Sequence, residues 1–240
     1  MALVKDIVRG VVKPIVTDIF GDVETFPPIL LDGNTVAWYD SQLLSTITKD
    51  GSDFVSRWND RLGSGHDLIQ ALGTNQPKWI DVDGVLFDAV DNYMKTVAFT
   101  FVQPEMIYIV CKQITWTVNN TITDGDIGQT GRILQRLVTP SLSATAGTYS
   151  TDNNNLSLNT FGIIRVLFDG ASSKIQINET TPIAENLGTA NMGGFTLGKY
   201  GTGDVAFAHM QVKEIILRKV ADGAVDEQNI YNYLANKYEI

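Results

Sequence analysis

Apolar residues recur in pairs every four positions over the first 22 residues of the chain. Polar residues fill the gaps, which places an apolar stripe along one side of a helix. Gly10 and Pro14 disfavour one straight helix, because an interior proline removes a backbone hydrogen bond, so two short helices or one kinked helix fit better. We expect this stripe to dock on a partner or on further copies of the chain; packing on the rest of the protein is the alternative, and a membrane-surface helix the third. The stripe consists of Leu3, Val4, Ile7, Val8, Val11, Val12, Ile15, Val16, Ile19 and Phe20.

Strand patterns and turn signals alternate from Gly33 onwards. Many short strands separated by Asp-Gly and other turn dipeptides, without intervening helices, predict one antiparallel two-sheet β-sandwich, a jelly roll, over residues 33–240. The predicted strands span residues 36–39, 56–60, 79–80, 85–87, 97–102, 107–111, 114–118, 132–137, 162–168, 174–178, 195–198 and 205–218. Two consecutive prolines within residues 23–32 predict an extended linker between the stripe and this domain.

The hydrophobic period changes in residues 226–238. Ile230, Tyr233 and Leu234 fall on one face of a helix at this spacing. Acidic residues occupy the first turn and Lys237 the last, as the helix dipole favours. We therefore expect a C-terminal helix after the sandwich.

Charge and composition limit the classes of partner that we expect for the protein. The formal net charge is −9, and an acidic surface repels phosphate backbones, so we expect no nucleic-acid partner. No stretch approaches the about 20 apolar residues of a membrane span, and the N-terminus lacks the separate basic and apolar regions of a secretion signal, so we expect synthesis in a cytoplasm. The one cysteine, Cys111, lies in an apolar run and is expected to be a buried strand residue rather than a nucleophile.

Residues 36–40, 55–60, 84–94 and the ending from 165 to 240 carry a family resemblance. Together they resemble concanavalin-like, laminin-G-like jelly rolls, particularly those of phage and bacterial surface proteins. Residues 84–94 are similar to the family's F-D-G-x-D-D-Y-L element, with Ala89 in place of glycine and Asn92 in place of the second acid. The resemblance covers residues 33–240 and implies a fold that hosts lectins, hydrolases, adhesion modules and virion parts.

The resemblance also implies where catalytic residues would lie. Hydrolases with this fold place three acids on one strand as E-x-D-x-(x)-E, which brings the carboxylates to one face. No glutamate of this chain begins that spacing, and the nearest alternation, Asp81-Val82-Asp83, leads into a glycine and predicts a turn. We therefore expect a protein that is not an enzyme; a polysaccharide hydrolase that gathers carboxylates from separate strands is the third hypothesis.

The candidate ligand site consists of Asp88, Asp91, Asn92 and Tyr93. In lectins, Asp and Asn side chains bond sugar hydroxyls or hold Ca²⁺, and an aromatic face, here Tyr93, stacks on the sugar ring. The alternative is a turn in which the acidic side chains bond their own backbone and Tyr93 fills the core. Residues 124–126 and 152–155 are further Ca²⁺ loop candidates, which polar loop chemistry explains without a ligand. Trp58, Trp79 and Trp116 are expected in the core or at its rim rather than as sugar platforms.

The resemblance, taken with these features, implies a non-enzymatic bacteriophage virion protein, placed in capsid decoration, a fibre or spike, or the tail. Its sandwich is expected to bind a surface or a glycan, and its N-terminal stripe to anchor it to other virion proteins. We expect a homo-oligomer that faces the outside of the particle and has no cofactor; Ca²⁺ in a loop is the alternative. The alternative is a free carbohydrate-binding, lectin-like module, for which the stripe is incidental.

Overall fold

The computed structural model describes residues 26–151 and 154–240. The strands of these residues are β1 (Thr35–Asp40), β2 (Ile47–Lys49), β3 (Val55–Trp58), β4 (Leu68–Ile69), β5 (Lys78–Ile80), β6 (Gly84–Asp88), β7 (Met94–Lys95), β8 (Glu105–Gln113), β9 (Thr121–Asp124), β10 (Arg132–Gln135), β11 (Ser141–Thr145), β12 (Asn154–Asn155), β13 (Phe161–Phe168), β14 (Lys174–Ile177), β15 (Ile183–Ala184), β16 (Thr196–Leu197) and β17 (His209–Arg218). The helix α1 (Ala224–Tyr238) follows, and short 3₁₀ turns lie at Pro28–Leu31, Leu44–Thr46, Gly73–Asn75 and Gly170–Ser172.

The strands form two antiparallel sheets. The eight-stranded sheet has the order β15-β14-β13-β8-β17-β6-β5, and β1 pairs with β17 beside this path. The nine-stranded sheet has the order β12-β11-β10-β9-β16-β7-β4-β3-β2. This arrangement confirms the predicted antiparallel two-sheet β-sandwich with its C-terminal helix.

The main core fills the space between the sheets. Tyr39, Trp58, Phe87, Ile109 and Phe195 are each 0% exposed there. Burial of each such side chain stabilises the fold by about 1.5–3 kcal/mol before the entropic cost of folding is counted. The prediction that Cys111 is a buried strand residue is confirmed, since this side chain lies in the same core at 0% exposure.

A second core lies on the outer face of the eight-stranded sheet. There α1 packs Ile230 and Leu234 against Trp38, Tyr108 and Ile216. The central strands β8, β13 and β17 are therefore covered on both faces, which is why they carry nearly continuous apolar runs instead of alternating patterns.

The helix itself agrees with its predicted pattern. It begins at Ala224, and Asp226 and Glu227 lie in the first turn. Ile230, Tyr233 and Leu234 are buried, as expected for its apolar face. No helix among the described residues is long and apolar enough to cross a membrane.

Two predicted strands, residues 97–102 and 114–118, are wrong. Neither segment forms a continuous strand ladder: Phe99 N–H donates to the Gly193 carbonyl, and Gly193 N–H donates to the Phe101 carbonyl. In the second segment, Ile114 N–H donates to the His209 carbonyl. The predicted strand 205–218 also begins later, at His209. An apolar pattern by itself therefore does not distinguish a strand from a segment that crosses from one sheet to the other.

Several strands were missed because hydroxyl residues dominate them or because they are very short. In β11 every residue is buried, and the Ser143 hydroxyl bonds the Ser150 hydroxyl at 2.6 Å. In β9 the Thr123 hydroxyl donates to the Gly131 carbonyl at 3.3 Å. Hydrogen bonding lets these polar side chains lie inside, where an apolar pattern does not predict them. The other missed strands are β2, β4, β7, β12 and β15.

The described end of the predicted linker packs on the sandwich. Pro28–Leu31 form a 3₁₀ turn rather than extended chain, and Leu30 is 1% exposed. The Phe26 ring meets the Trp38 ring edge-on at 5.1 Å. The predicted helical stripe in residues 1–22 lies outside the described residues, so its structure and its anchoring role stay predictions.

Candidate functional site

The sequence-predicted ligand residues lie together in the turn that follows β6. The Asp88 carboxylate accepts a hydrogen bond from Val90 N–H at 2.9 Å, with longer ones at 3.4 Å from the next two backbone amides. Ala89 adopts φ 66°, the left-handed region that favours the glycine of the resembled element. Asp88 therefore caps its own turn.

The aromatic member of this set, Tyr93, is already in contact with neighbouring side chains. The Lys199 ammonium lies 3.9 Å from the centre of the Tyr93 ring, and the Phe207 ring is 6.5 Å away. Asn92 is 7% exposed. The turn interpretation accounts for these contacts, and sugar binding by the four residues stays a prediction.

The predicted calcium loop at residues 124–126 has a structural explanation. The Asp124 carboxylate is 0% exposed and accepts N–H bonds from Gly125, Gln129, Thr130 and Gly201 at 2.9–3.1 Å. Burial raises the pKa of Asp124, and these four backbone bonds oppose the rise. Within residues 26–151 and 154–240 no group of three or more His, Cys, Asp or Glu residues could hold a metal ion.

Carboxylates from separate strands do converge at one place. Asp40 of β1 and Glu214 of β17 are direct cross-strand partners, and Lys237 of α1 bonds them at 2.6 and 2.9 Å. Glu214 also accepts hydrogen bonds from the Trp38 indole and the Tyr238 hydroxyl, each at 2.6 Å. Burial, followed by the charge of Asp40, raises the pKa of Glu214. Since the two acids are 2% and 0% exposed beneath α1, they brace the helix and do not face a polysaccharide.

A cavity of about 210 Å³ opens at an edge of the eight-stranded sheet, and we call it the Trp79 cavity. It lies between the loop after β1 and the turn that joins β5 to β6. Its lining includes Ser41, Gln42, Leu44, Trp79, Asp81 and Val82. The exposed side chains of Leu44 and Val82 form part of an apolar rim.

Backbone contacts hold the two walls of the Trp79 cavity together. The Trp79 indole N–H donates to the Ser41 carbonyl at 3.1 Å, and Ser41 N–H donates to the Lys213 carbonyl at 2.9 Å. Gly84 closes the β5–β6 turn at φ 84°, and a Cβ there would lie 2.2 Å from the Val212 carbonyl oxygen. Only glycine lets this turn approach β17 so closely.

The Trp79 cavity combines an aromatic ring with polar side chains at its opening. The Ser41 hydroxyl oxygen is buried and has no hydrogen-bond partner among the described residues. Trp79 is half-buried, and Lys49 places its ammonium 4.6 Å from the indole centre. Asp81 and Gln42 are exposed at the opening. The sequence interpretation had Trp79 as a core or rim residue, and the partnerless serine had no sequence signal.

No family model matches the chain, and no curated protein matches it in sequence. Solved structures do match. The Trypanosoma rangeli sialidase in complex with sialic acid is 9% identical, with a TM-score of 0.59 over 85% of this chain and 33% of that chain. A GH54 α-L-arabinofuranosidase soaked with a cyclic sulfate inhibitor is 12% identical, with a TM-score of 0.59 over 83% of this chain and 62% of that one. Thus the chain spans about a third of the length of the sialidase it matches.

A third match is a separate domain. Domain 4 of AbnA, a GH43 extracellular arabinanase from Geobacillus stearothermophilus, in complex with arabinotriose, is 11% identical. Its TM-score is 0.59, over 83% of this chain and 98% of that chain. The fold is a β-sandwich that occurs in glycoside hydrolases. At these identities the likeness shows the fold alone; it agrees with the predicted concanavalin-like sandwich and lends no support to a phage origin.

The prediction that the chain is not an enzyme is contradicted by these neighbours. The sialidase, the arabinofuranosidase and the arabinanase are glycoside hydrolases, so this sandwich occurs within enzymes. The prediction failed because it tested a single arrangement of carboxylates on one strand. A sandwich that matches 33% of an enzyme chain can belong to an enzyme without carrying that motif.

Proposed function

We propose that the sandwich is a carbohydrate-binding domain and that a sugar residue occupies the Trp79 cavity. The observation that carries the proposal is a half-buried tryptophan that lines a cavity with the polar side chains of Gln42 and Asp81 at its opening. The side chains of Gln42 and Asp81 are exposed there and would bond the hydroxyls of the sugar. The apolar face of a sugar ring would meanwhile pack on the indole, which is the usual combination of aromatic surface and convergent polar groups.

The size of the Trp79 cavity suggests how much of a glycan it holds. Its volume of about 210 Å³ is below the range of about 300–1,000 Å³ for clefts that enclose drug-sized ligands, so it suits one sugar residue at a chain end or branch. The matched arabinanase domain is in complex with arabinotriose and is covered over 98% of its length. Arabinose oligosaccharides are therefore the first ligands to test.

Isothermal titration of the full chain with arabinotriose, followed by a neutral glycan array, tests the proposal. We expect Trp79→Ala to weaken binding at least about tenfold, which corresponds to about 1.4 kcal/mol. Gln42→Ala should weaken binding without lowering the melting temperature, because it removes an exposed amide at the opening of the cavity. Trp116→Ala is the matched control, since its indole N–H bonds the Ser141 carbonyl outside the cavity.

The sequence-predicted site provides the competing outcome. Loss of binding in Tyr93→Ala, with Trp79→Ala unchanged, would place the sugar on the turn after β6 and refute the Trp79 cavity. Failure of every neutral glycan to bind, with and without Ca²⁺, would overturn carbohydrate binding at this cavity altogether. Release of reducing ends from polysaccharides, measured on the same preparations, tests hydrolysis directly.

We also infer from the sequence a location for the protein: a phage virion, to which residues 1–22 anchor the sandwich. The predicted apolar stripe supports this inference, because it needs a surface to cover it. Deletion of residues 1–22 should release the protein from particles and reduce its oligomeric state. Unchanged attachment and assembly in the deletion variant would refute the anchoring role.

A further inference from the structure

A buried arginine lies on the outer face of the nine-stranded sheet. Ile133 packs into the core between the sheets, so alternation along β10 places Arg132 on the opposite face. Arg132 is only 5% exposed. Its guanidinium lies 4.8 Å from the centre of the Tyr200 ring, and one of its N–H groups donates to the Tyr149 hydroxyl at 3.3 Å.

The charge of Arg132 has no acidic partner among the described residues. Its hydrogen bonds go to the Thr121 hydroxyl at 2.9 Å, the Asn119 carbonyl at 2.6 Å and the Tyr149 hydroxyl, which are all neutral. These use three of the five N–H donors that a guanidinium carries. Buried charges in proteins are ordinarily paired, because removing an ion from water is costly.

Other buried arginines of this protein follow that rule. Arg218 is 0% exposed and pairs with Asp32 at 3.1 Å and with Asp222 at 2.8 Å. Arg165 is 3% exposed and approaches Glu227 at 3.5 Å. Arg132 therefore differs from its buried counterparts in lacking a carboxylate within the part of the chain that the structure describes.

A second cation lies next to the first. Arg136 follows Arg132 by four residues, so its side chain starts on the same face where β10 ends. Its guanidinium lies 3.8 Å from the centre of the Tyr149 ring, and no ion pair among the described residues includes it. Arg136 and Tyr149 are half-buried, so a ligand can reach them while Arg132 acts from beneath.

Hydrogen bonds and a close glycine contact position the loop that carries Tyr200. The Asp124 carboxylate bonds the Gly201 N–H at 3.1 Å and also the loop that contains Gly128. Gly128 lies against Tyr200 so closely that a Cβ there would be 2.1 Å from the ring. The half-buried ring is thus positioned over Arg132 before any ligand arrives, which lowers the entropic cost of binding.

We propose that Arg132, Arg136, Tyr149 and Tyr200 form a binding site for the carboxylate of an acidic sugar. Guanidinium groups match carboxylates in charge and in hydrogen-bond geometry, and the tyrosine rings offer apolar surface to the sugar ring. The sugar part of this assignment rests on the proposed carbohydrate binding. The site itself is separate from the Trp79 cavity, which lies on the eight-stranded sheet.

The test compares D-glucuronate, D-glucose and acetate by NMR titration of the full chain. Glucuronate should bind at least about tenfold more tightly than glucose or acetate, and more weakly as salt screens the two cations. Arg136→Gln should remove about tenfold of this affinity, whereas the exposed Arg57→Gln, which changes the net charge equally, should not. Arg132→Gln should also weaken glucuronate binding, and Arg136→Gln keeps the test valid if that variant fails to fold.

Three results would overturn the proposal. Equal binding of glucuronate and glucose would remove the role of the carboxylate, and equal binding of glucuronate and acetate would remove the role of the sugar. Binding that appears only in Asp152→Asn would show that the chain's own acid fills the site, since Asp152 is the acid nearest to Tyr149 in sequence and lies outside the described residues. Glucuronate binding that persists in Trp79→Ala would show that this site binds its ligand independently of the Trp79 cavity.

Discussion

Glu105, at the start of β8, is the buried acid whose contribution to stability is easiest to test. Its side chain is 0% exposed, and one carboxyl oxygen accepts a hydrogen bond from Met192 N–H at 2.7 Å. The other oxygen is buried without a partner among the described residues. Burial raises the pKa of Glu105 from 4.5 to about 8, against the opposing effect of the Met192 bond. We therefore expect the folded protein to hold a proton on Glu105 at neutral pH.

This proton makes stability depend on pH in a definite direction. Between pH 4.5 and about 8 the unfolded chain has lost the proton while the folded protein keeps it, so stability falls as pH rises. The slope is about 1.4 kcal/mol for each pH unit, and it flattens near pH 8, where the folded Glu105 is already about half ionised. The loss between about pH 5 and about pH 8 is therefore about 3 kcal/mol. A glutamine at this position has no proton to lose and escapes the loss.

Urea unfolding of wild type and Glu105→Gln at about pH 5 and about pH 8 measures the effect. Relative to wild type, the variant should gain about 3 kcal/mol of unfolding free energy between the two conditions. Glu179→Gln, at an exposed position, is the matched control and should show no comparable gain. Parallel pH profiles for wild type and Glu105→Gln would show that Glu105 is ionised in the folded protein and would refute the reasoning.

Two other side chains, Lys237 and Cys111, give predictions that do not depend on Glu105. Lys237→Met should lower the free energy of unfolding by about 3–5 kcal/mol, because Asp40 and Glu214 lose the cation that α1 places between them. Urea unfolding beside the exposed Lys219→Met control measures this loss, and equal effects of the two variants would contradict it. Cys111 should resist iodoacetamide in the native protein and react after unfolding, because burial raises its pKa to about 12. Rapid native labelling, followed by mass spectrometry, would show that this strand opens.

The predicted elements that depend on local pattern agree best with the structure. The C-terminal helix and strands such as β6, β13 and β14 were predicted close to their observed bounds, because period and turn residues are local properties. Strands built from hydroxyl residues, such as β11, were missed, since their burial depends on partners that lie elsewhere in the chain. Residues 97–102 failed for the opposite reason, since apolar residues there cover an end of the core without joining a sheet.

The candidate sites could be predicted from the sequence far less well than the strands and the helix. The turn at Asp88 was recognised as polar, and its capping bonds follow from residue type. The Trp79 cavity requires that Ser41, nearly forty residues away in sequence, lie beside the indole with its hydroxyl unsatisfied. A sequence pattern carries no information about such a pairing.

The sequence by itself determined the sandwich, its approximate start and its closing helix, because hydrophobic period and turn chemistry act between near neighbours. Only the tertiary structure decided which buried charges are neutralised. It placed Lys237 between Asp40 and Glu214. Among the described residues, it surrounded the Arg132 guanidinium with neutral hydrogen-bond partners only. The physical reason is that the state of a charged group depends on burial and on partners brought together by folding, and this pairing across sheets and loops is absent from any local stretch of the chain.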